Sequence, residues 1–75
     1  MAKREWIGNY SFYFEQFYTY KSEWISQRVD LGRCLGVNEA KEKAIICVIQ
    51  DNRMINWNTA YICDGWGNKF YAKER

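Results

Sequence analysis

The segment Tyr10 to Tyr20, YSFYFEQFYTY, carries seven aromatic residues in eleven positions. Its spacing constrains the fold more than any other stretch. On a strand, Tyr10, Phe12, Phe14, Gln16, Tyr18 and Tyr20 share one face, and Ser11, Tyr13, Glu15, Phe17 and Thr19 share the other. The first face is almost wholly aromatic and the second is mixed, the pattern of a half-buried antiparallel strand. On a helix, Tyr10, Phe14, Phe17 and Lys21 would align, but Phe12 and Tyr20 would fall elsewhere. Aromatic and Thr content also favours a strand. The segment therefore predicts one long strand, bent by a bulge near Glu15-Gln16. Tyr10, Phe12, Phe14, Tyr18 and Tyr20 form its core face, and Tyr13 and Phe17 point away.

Such a strand needs neighbours and a covering layer. Lys21-Ser22-Glu23 can turn the chain. Trp24 to Leu31 then places Ile25, Val29 and Leu31 opposite Ser26, Arg28 and Asp30, so a hairpin is the favoured reading. A helix capped by Ser22 and stopped by Gly32 is the alternative. Asn38 to Asn52 predicts the helix, with Asn38 as N-cap, Glu39 in the first turn and strong helix formers in EAKEKA. Ala40, Ala44, Cys47 and Val48 make one stripe. Ile45, Ile46 and Ile49 make the second half apolar nearly all round, so that half is either deeply covered or meets a partner. The β-branched run Ile45 to Ile49 leaves a buried strand as the alternative. Thr59 to Asp64 and Lys69 to Lys73 flank Asp64-Gly65-Trp66-Gly67-Asn68, the clearest hairpin signal, and Met54 to Trp57 extends its first strand. The fold class is α+β: a four-stranded antiparallel sheet, in the order β-β-α-β-β, with one helix packed on a face.

The chain has 75 residues, enough for one small domain spanning 1–75 and marginal in core size. Fourteen aromatics argue against intrinsic disorder. No apolar run approaches a membrane span, and Met1 to Arg4 leads into Glu5 and Trp6 rather than the apolar stretch of a secretory signal. Three cysteines at wide spacing, Cys34, Cys47 and Cys63, suit a reducing, cytoplasmic setting and small buried hydrophobes better than a disulfide framework or a zinc site. With no His, imidazole base and His-metal chemistry are absent. Gly32 to Gly36 lacks the Gly-Lys-Ser/Thr end of a phosphate loop. Glu39 and Glu42 interleave with Lys41 and Lys43 as a solvated helix face. No catalytic set, metal or cofactor is expected, and the chain is read as a binding protein rather than an enzyme.

Aromatics left off the core face make another protein the first-choice partner. Tyr13, Phe17 and Trp66 are the candidate anchors, and Arg28 and Lys69 the rim contacts, since Trp, Tyr and Arg dominate interface energetics. The second choice is a single-stranded nucleic acid held by Lys69, Tyr71 and Lys73, with Lys3, Arg4 and Arg75 adding positive termini. A formal net charge of +2 and interspersed acidic residues supply little counterion release for it. A structural homodimer is the third reading. A short strand, a helix shaped like Asn38-Glu39-Ala40-Lys41-Glu42-Lys43-Ala44 and a closing hairpin resemble small bacteriophage early proteins. Those include phage inhibitors of RNA polymerase and several anti-CRISPR proteins. The resemblance implies an inhibitor of a host enzyme or defence complex. Because this chain is not acidic, it implies action by contact rather than by mimicry of DNA charge.

Overall fold

In a computed structural model, which describes residues 5–72, the aromatic segment is strand β1 (Gly8–Tyr18). It pairs antiparallel with β2 (Glu23–Cys34), and α1 (Val37–Gln50), β3 (Tyr61–Cys63) and β4 (Lys69–Tyr71) follow. The sheet order is β2-β1-β3-β4, antiparallel throughout. This is the expected α+β architecture. The segment after the turn is a strand, not a helix, and it runs on through Gly32.

Tyr10, Phe12 and Phe14 are buried on the helix side of β1. Ile62 from β3 lies opposite Phe12, and Phe70 from β4 lies opposite Ile62. On the other flank Val29 faces Phe12. Helix α1 sets Ala40, Ala44 and Val48 against this layer. Two alanines at the contact let the helix backbone approach a floor of large rings without overfilling the space between them.

Several local expectations are corrected. The register shifts between Tyr10 and Ser11, not at Glu15-Gln16: Tyr10 faces Gly32 and Ser11 faces Asp30, so Leu31 is the extra residue. Gly32 absorbs the bulge at φ 74°, a left-handed conformation open to glycine. Strand β1 ends at Tyr18, whose carbonyl accepts from Lys21 N–H at 3.1 Å in the turn. Tyr20 is thereby thrown out of the core to 76% exposure, and Tyr18 is only half-buried, held by Gln27 Nε2 donating to its hydroxyl at 2.9 Å. Asn38 is not the helix cap. The helix begins at Val37, whose N–H donates to Glu5 Oε1 at 2.7 Å, so a carboxylate from the N-terminal arm satisfies an orphan donor. Met54 to Trp57 does not extend β3. It runs beside the far half of β1 through one bridge, Gln16 to Ile55. Of the second hairpin strand expected over Lys69 to Lys73, the last residue lies outside the described residues. Cys34 is buried as expected, whereas Cys47 and Cys63 are only half-buried; all three thiols are free.

The N-terminal arm is anchored at Trp6. Tyr10 Oη donates to the Trp6 carbonyl at 2.6 Å, and Trp6 Nε1 donates to the Asn9 carbonyl at 3.1 Å. The indole packs against Gly65, where an added Cβ would overlap the ring. Gly65→Ala should therefore destabilise the fold by about 1–3 kcal/mol through overpacking, read from urea unfolding; an unchanged midpoint would show that the arm is not clamped. Burial pushes the Cys34 thiol above its ordinary value, and burial followed by Asp64 and Glu5 does the same for the Tyr10 hydroxyl. Both groups are held neutral in the fold. Their stabilising effect is complete below the unfolded-chain values, about 8.5 for a thiol and about 10 for a phenol, and is lost as pH rises through the raised folded values. Unfolding free energy should thus be flat with respect to these groups below about pH 8 and fall above it. Cys34→Ala should remove the thiol part of that alkaline slope.

Candidate functional site

The helix covers one face of the sheet, and among the described residues no element covers the other. The strand register decides what that face carries. Ser11 and Tyr13 of β1 point outward, and residues directly opposite one another in neighbouring strands share a face. Two rows result. One runs Lys69, Cys63, Ser11, Asp30, and the other runs Tyr71, Tyr61, Tyr13, Arg28.

The rings of the second row touch one after another, stacked between Tyr13 and Tyr61 and tilted between Tyr61 and Tyr71. Tyr61 and Tyr71 ring centres are 5.5 Å apart at 50°, and Tyr13 and Tyr61 are 5.1 Å apart at 15°. The Arg28 guanidinium lies 5.8 Å from the Tyr13 ring centre, and Lys69 Nζ lies 5.1 Å from that of Tyr61. Arg28 is fixed from three sides. Its Nε donates to Tyr13 Oη at 3.2 Å, its Nη2 donates to Ser11 Oγ at 3.0 Å, and Nη2 pairs with Asp30 Oδ1 at 2.8 Å. The hydrogen bond to Tyr13, then Asp30, pushes its guanidinium further toward the charged form. Next along the face, Glu15 Oε1 accepts from Thr59 Oγ1 at 3.0 Å and so ties the loop before β3 to β1.

The geometry of the stacking has a chemical consequence. Tyr13 has Tyr61 and Arg28 as ring neighbours, and Tyr61 has Tyr13, Tyr71 and Lys69. Both inner rings are therefore already engaged in stacking and cation–π contacts. Tyr71 ends the row, is 52% exposed, and among the described residues has one ring neighbour.

Of the residues singled out from the sequence, Tyr13, Arg28, Lys69 and Tyr71 converge on this row. Phe17 lies on the same face but about 14 Å further along the strand, where it packs on Trp24 with ring centres 5.2 Å apart. Trp66 is elsewhere. It stands edge-on to Trp6 at 5.3 Å, at the end of the sheet, 55% exposed. Its turn is organised by buried Asp64, which accepts from Trp66 N–H and Asn68 N–H at 2.9 Å each and from Asn68 Nδ2 at 3.2 Å. Those bonds engage both carboxylate oxygens in holding the turn. Lys73, with Lys3, Arg4 and Arg75, lies outside the described residues. Tyr61 and Trp24 escaped the sequence reading. Alternation in Tyr61-Ile62-Cys63 was the available signal for Tyr61, because burying Ile62 turns Tyr61 outward.

Two concavities lie beyond the tyrosine row, the first of them reaching Lys69. One of about 650 Å³ is bounded by Glu5, Trp6, Asn38, Asp64 and Trp66, and one of about 330 Å³ opens between α1 and Trp57. Among the described residues, no three His, Cys, Asp or Glu side chains are grouped to hold a metal ion, and no helix is long and apolar enough to cross a membrane. Comparison with protein-family models, curated proteins and solved structures gives no match.

If the row is as rigid as its contacts indicate, a Tyr13→Ala, Tyr61→Ala double-mutant cycle on stability should return a favourable coupling of about 0.5–1.5 kcal/mol. A coupling near zero would mean the rings are not stacked in solution.

Proposed function

We propose that this chain is a small protein-binding module whose recognition surface is the open sheet face, centred on Tyr71, Tyr61, Tyr13 and Arg28. The observation that carries this reading is the row of touching rings. Its rings are held by one another and by Arg28 and Lys69, so a partner meets an ordered amphipathic surface with little side-chain entropy left to lose. Large aromatic and Arg side chains of this kind supply most of the energy at protein interfaces. Phe17 and Trp24 give a second apolar contact on the same face. Trp66 is left out of the surface because it rests on Trp6.

The same geometry weighs against the nucleic-acid reading. Base stacking needs ring faces free to receive bases; Tyr13 and Tyr61 are engaged by their neighbours, which leaves Tyr71 as the one exposed ring of the row for that role. Arg28 is matched by Asp30, which weakens its attraction for phosphate. A binding module of this size acts by occupying its target, so inhibition or modulation of the bound protein is the proposed consequence. The likeness to phage inhibitors extends that proposal to a host enzyme or defence complex as target.

The test uses the full chain as bait, with identification of captured proteins by mass spectrometry and an affinity measurement on the one retained. Tyr61→Ala with Tyr71→Ala should weaken that complex at least tenfold, about 1.4 kcal/mol, with the circular dichroism spectrum preserved. Unchanged affinity would reject the surface. Oligonucleotide binding that weakens steeply with salt and is lost in the same double variant would favour the nucleic-acid reading instead.

A further inference from the structure

Among the described residues, the outer edge of β2 is a long strand edge with no strand paired to it. Which of its backbone groups are free follows from the ladder. Phe17 N–H donates to the Met54 carbonyl at 2.8 Å, and Asn56 N–H donates to the Glu15 carbonyl at 2.9 Å. In an antiparallel ladder the N–H and C=O of one residue point to the same side, and successive residues alternate. Glu15 and Phe17 therefore point away from β2, and Phe14 and Gln16 point toward it. Their partners Gln27 and Ile25 point back at β1. Trp24, Ser26, Arg28 and Asp30 are left with N–H and C=O directed outward, and among the described residues none of these groups has a hydrogen-bond partner.

Exposed edges are normally blunted by Pro, Lys, inward-pointing charge or a bulge. The chain has no Pro, and β2 has no Lys. The charged residues of β2, Glu23, Arg28, Asp30 and Arg33, are of both signs, and Arg28 is paired with Asp30; the bulge at Leu31 lies beyond the four free positions. Ile25, Val29 and Leu31 sit half-buried along this flank, and Val29 and Leu31 pack against the core without being covered by it.

We infer that β2 pairs antiparallel with β2 of a second copy of this chain, about a two-fold axis through Gln27. The choice of occupant rests on self-complementarity. An axis at Gln27 places Trp24 opposite the partner's Asp30 and Ser26 opposite the partner's Arg28, and the reverse pairs follow by symmetry. All four free positions of each copy are then used. On the helix side, Ile25 meets the partner's Val29 twice. No like charges are opposed. Neighbouring registers do worse. An axis at Arg28 sets two guanidinium groups face to face. An axis at Val29 carries Ser26 onto the bulge at the partner's Gly32. An axis at Ser26 leaves Asp30 opposite a turn residue, the partner's Ser22.

The helices leave room for this pairing. Helix α1 contacts both β2 and β3, so it lies over β1. Two such helices would be about three strand spacings, or about 14 Å, apart, which is wider than the 8–10 Å of packed helices. A two-fold axis normal to the sheet puts both helices on one side and both tyrosine rows on the other. The result is one eight-stranded sheet with a doubled open face. The pairing uses the strand edge and is independent of whether that face binds a partner.

Sedimentation velocity of the full chain, from low micromolar to several hundred micromolar, tests the inference. The wild type should shift from monomer toward dimer with concentration. Ser26→Pro removes an outward N–H that β1 does not use, so it should remain folded by circular dichroism yet monomeric throughout. Register is checked by cysteine cross-linking in a Cys47→Ser, Cys63→Ser background. Gln27→Cys puts two thiols across the axis within disulfide range and should cross-link on mild oxidation, while Ile25→Cys should not. A wild type that stays monomeric over the whole range overturns the inference, as does a dimer that Ser26→Pro leaves intact or equal cross-linking at both positions. Pairing of β2 only with a different protein would overturn it in favour of a foreign strand.

Discussion

The structure depends on one contact: the aromatic face of β1 against the small-residue face of α1. Tyr10, Phe12 and Phe14 are bulky and need a cover. Ala40 and Ala44 bring the helix close enough to provide it, and Val48 continues the contact. Everything else is arranged about that pair. Strands β2 and β3 extend the floor on either side through Val29 and Ile62. The N-terminal arm returns to cap the helix through Glu5 and to fold Trp6 over the turn at Gly65. Since side chains alternate across a strand, burying these three residues forces Ser11, Tyr13, Glu15 and Phe17 onto the opposite face.

That forced exposure produces the candidate site. Tyrosine suits a face that is neither core nor bulk water, because its ring packs on neighbours while its hydroxyl stays accessible. Pairing across three strands brings Tyr71, Tyr61 and Tyr13 into one row, and Arg28 closes it at the β2 edge. The small core has little energy to spare for holding loose side chains in place. Here the row orders itself by stacking and by the Arg28 hydrogen bonds. Outside the sheet, Ile46 at 53% and Ile49 at 67% exposure leave the outer side of the helix apolar. The structure thus closes off one of the two alternatives for that stripe, since this half of the helix is not deeply covered.

Much of the fold was legible along the chain, and the misses share a cause. Alternation from Tyr10 to Phe17 gave the strand and its two faces, and Asp64 to Asn68 marked the second hairpin. Tyr20 was misplaced because alternation has no stop signal of its own; the turn that uses the Tyr18 carbonyl ends the strand. Asn38 was misplaced as a cap because the group that fills that role, Glu5, lies 32 residues before Val37 in sequence. Trp66 looked unpaired at the tip of a turn because its neighbour Trp6 lies at the other end of the chain. In the candidate site, Tyr13, Arg28, Lys69 and Tyr71 were found one at a time by residue type. Tyr61, which joins them, was not.

The sequence by itself determined the α+β class, the orientation of β1, the position of the helix and the pool of outward aromatics. These follow from local periodicity and composition, which each segment carries within itself. Only the tertiary structure decided which outward residues become neighbours. It stacked Tyr13 on Tyr61, sent Trp66 to Trp6, kept Phe17 apart with Trp24 and, among the described residues, left β2 as an open edge. The physical reason is strand register: contacts across a sheet join residues tens of positions apart, and a shift of one residue at the Leu31 bulge changes which of them meet.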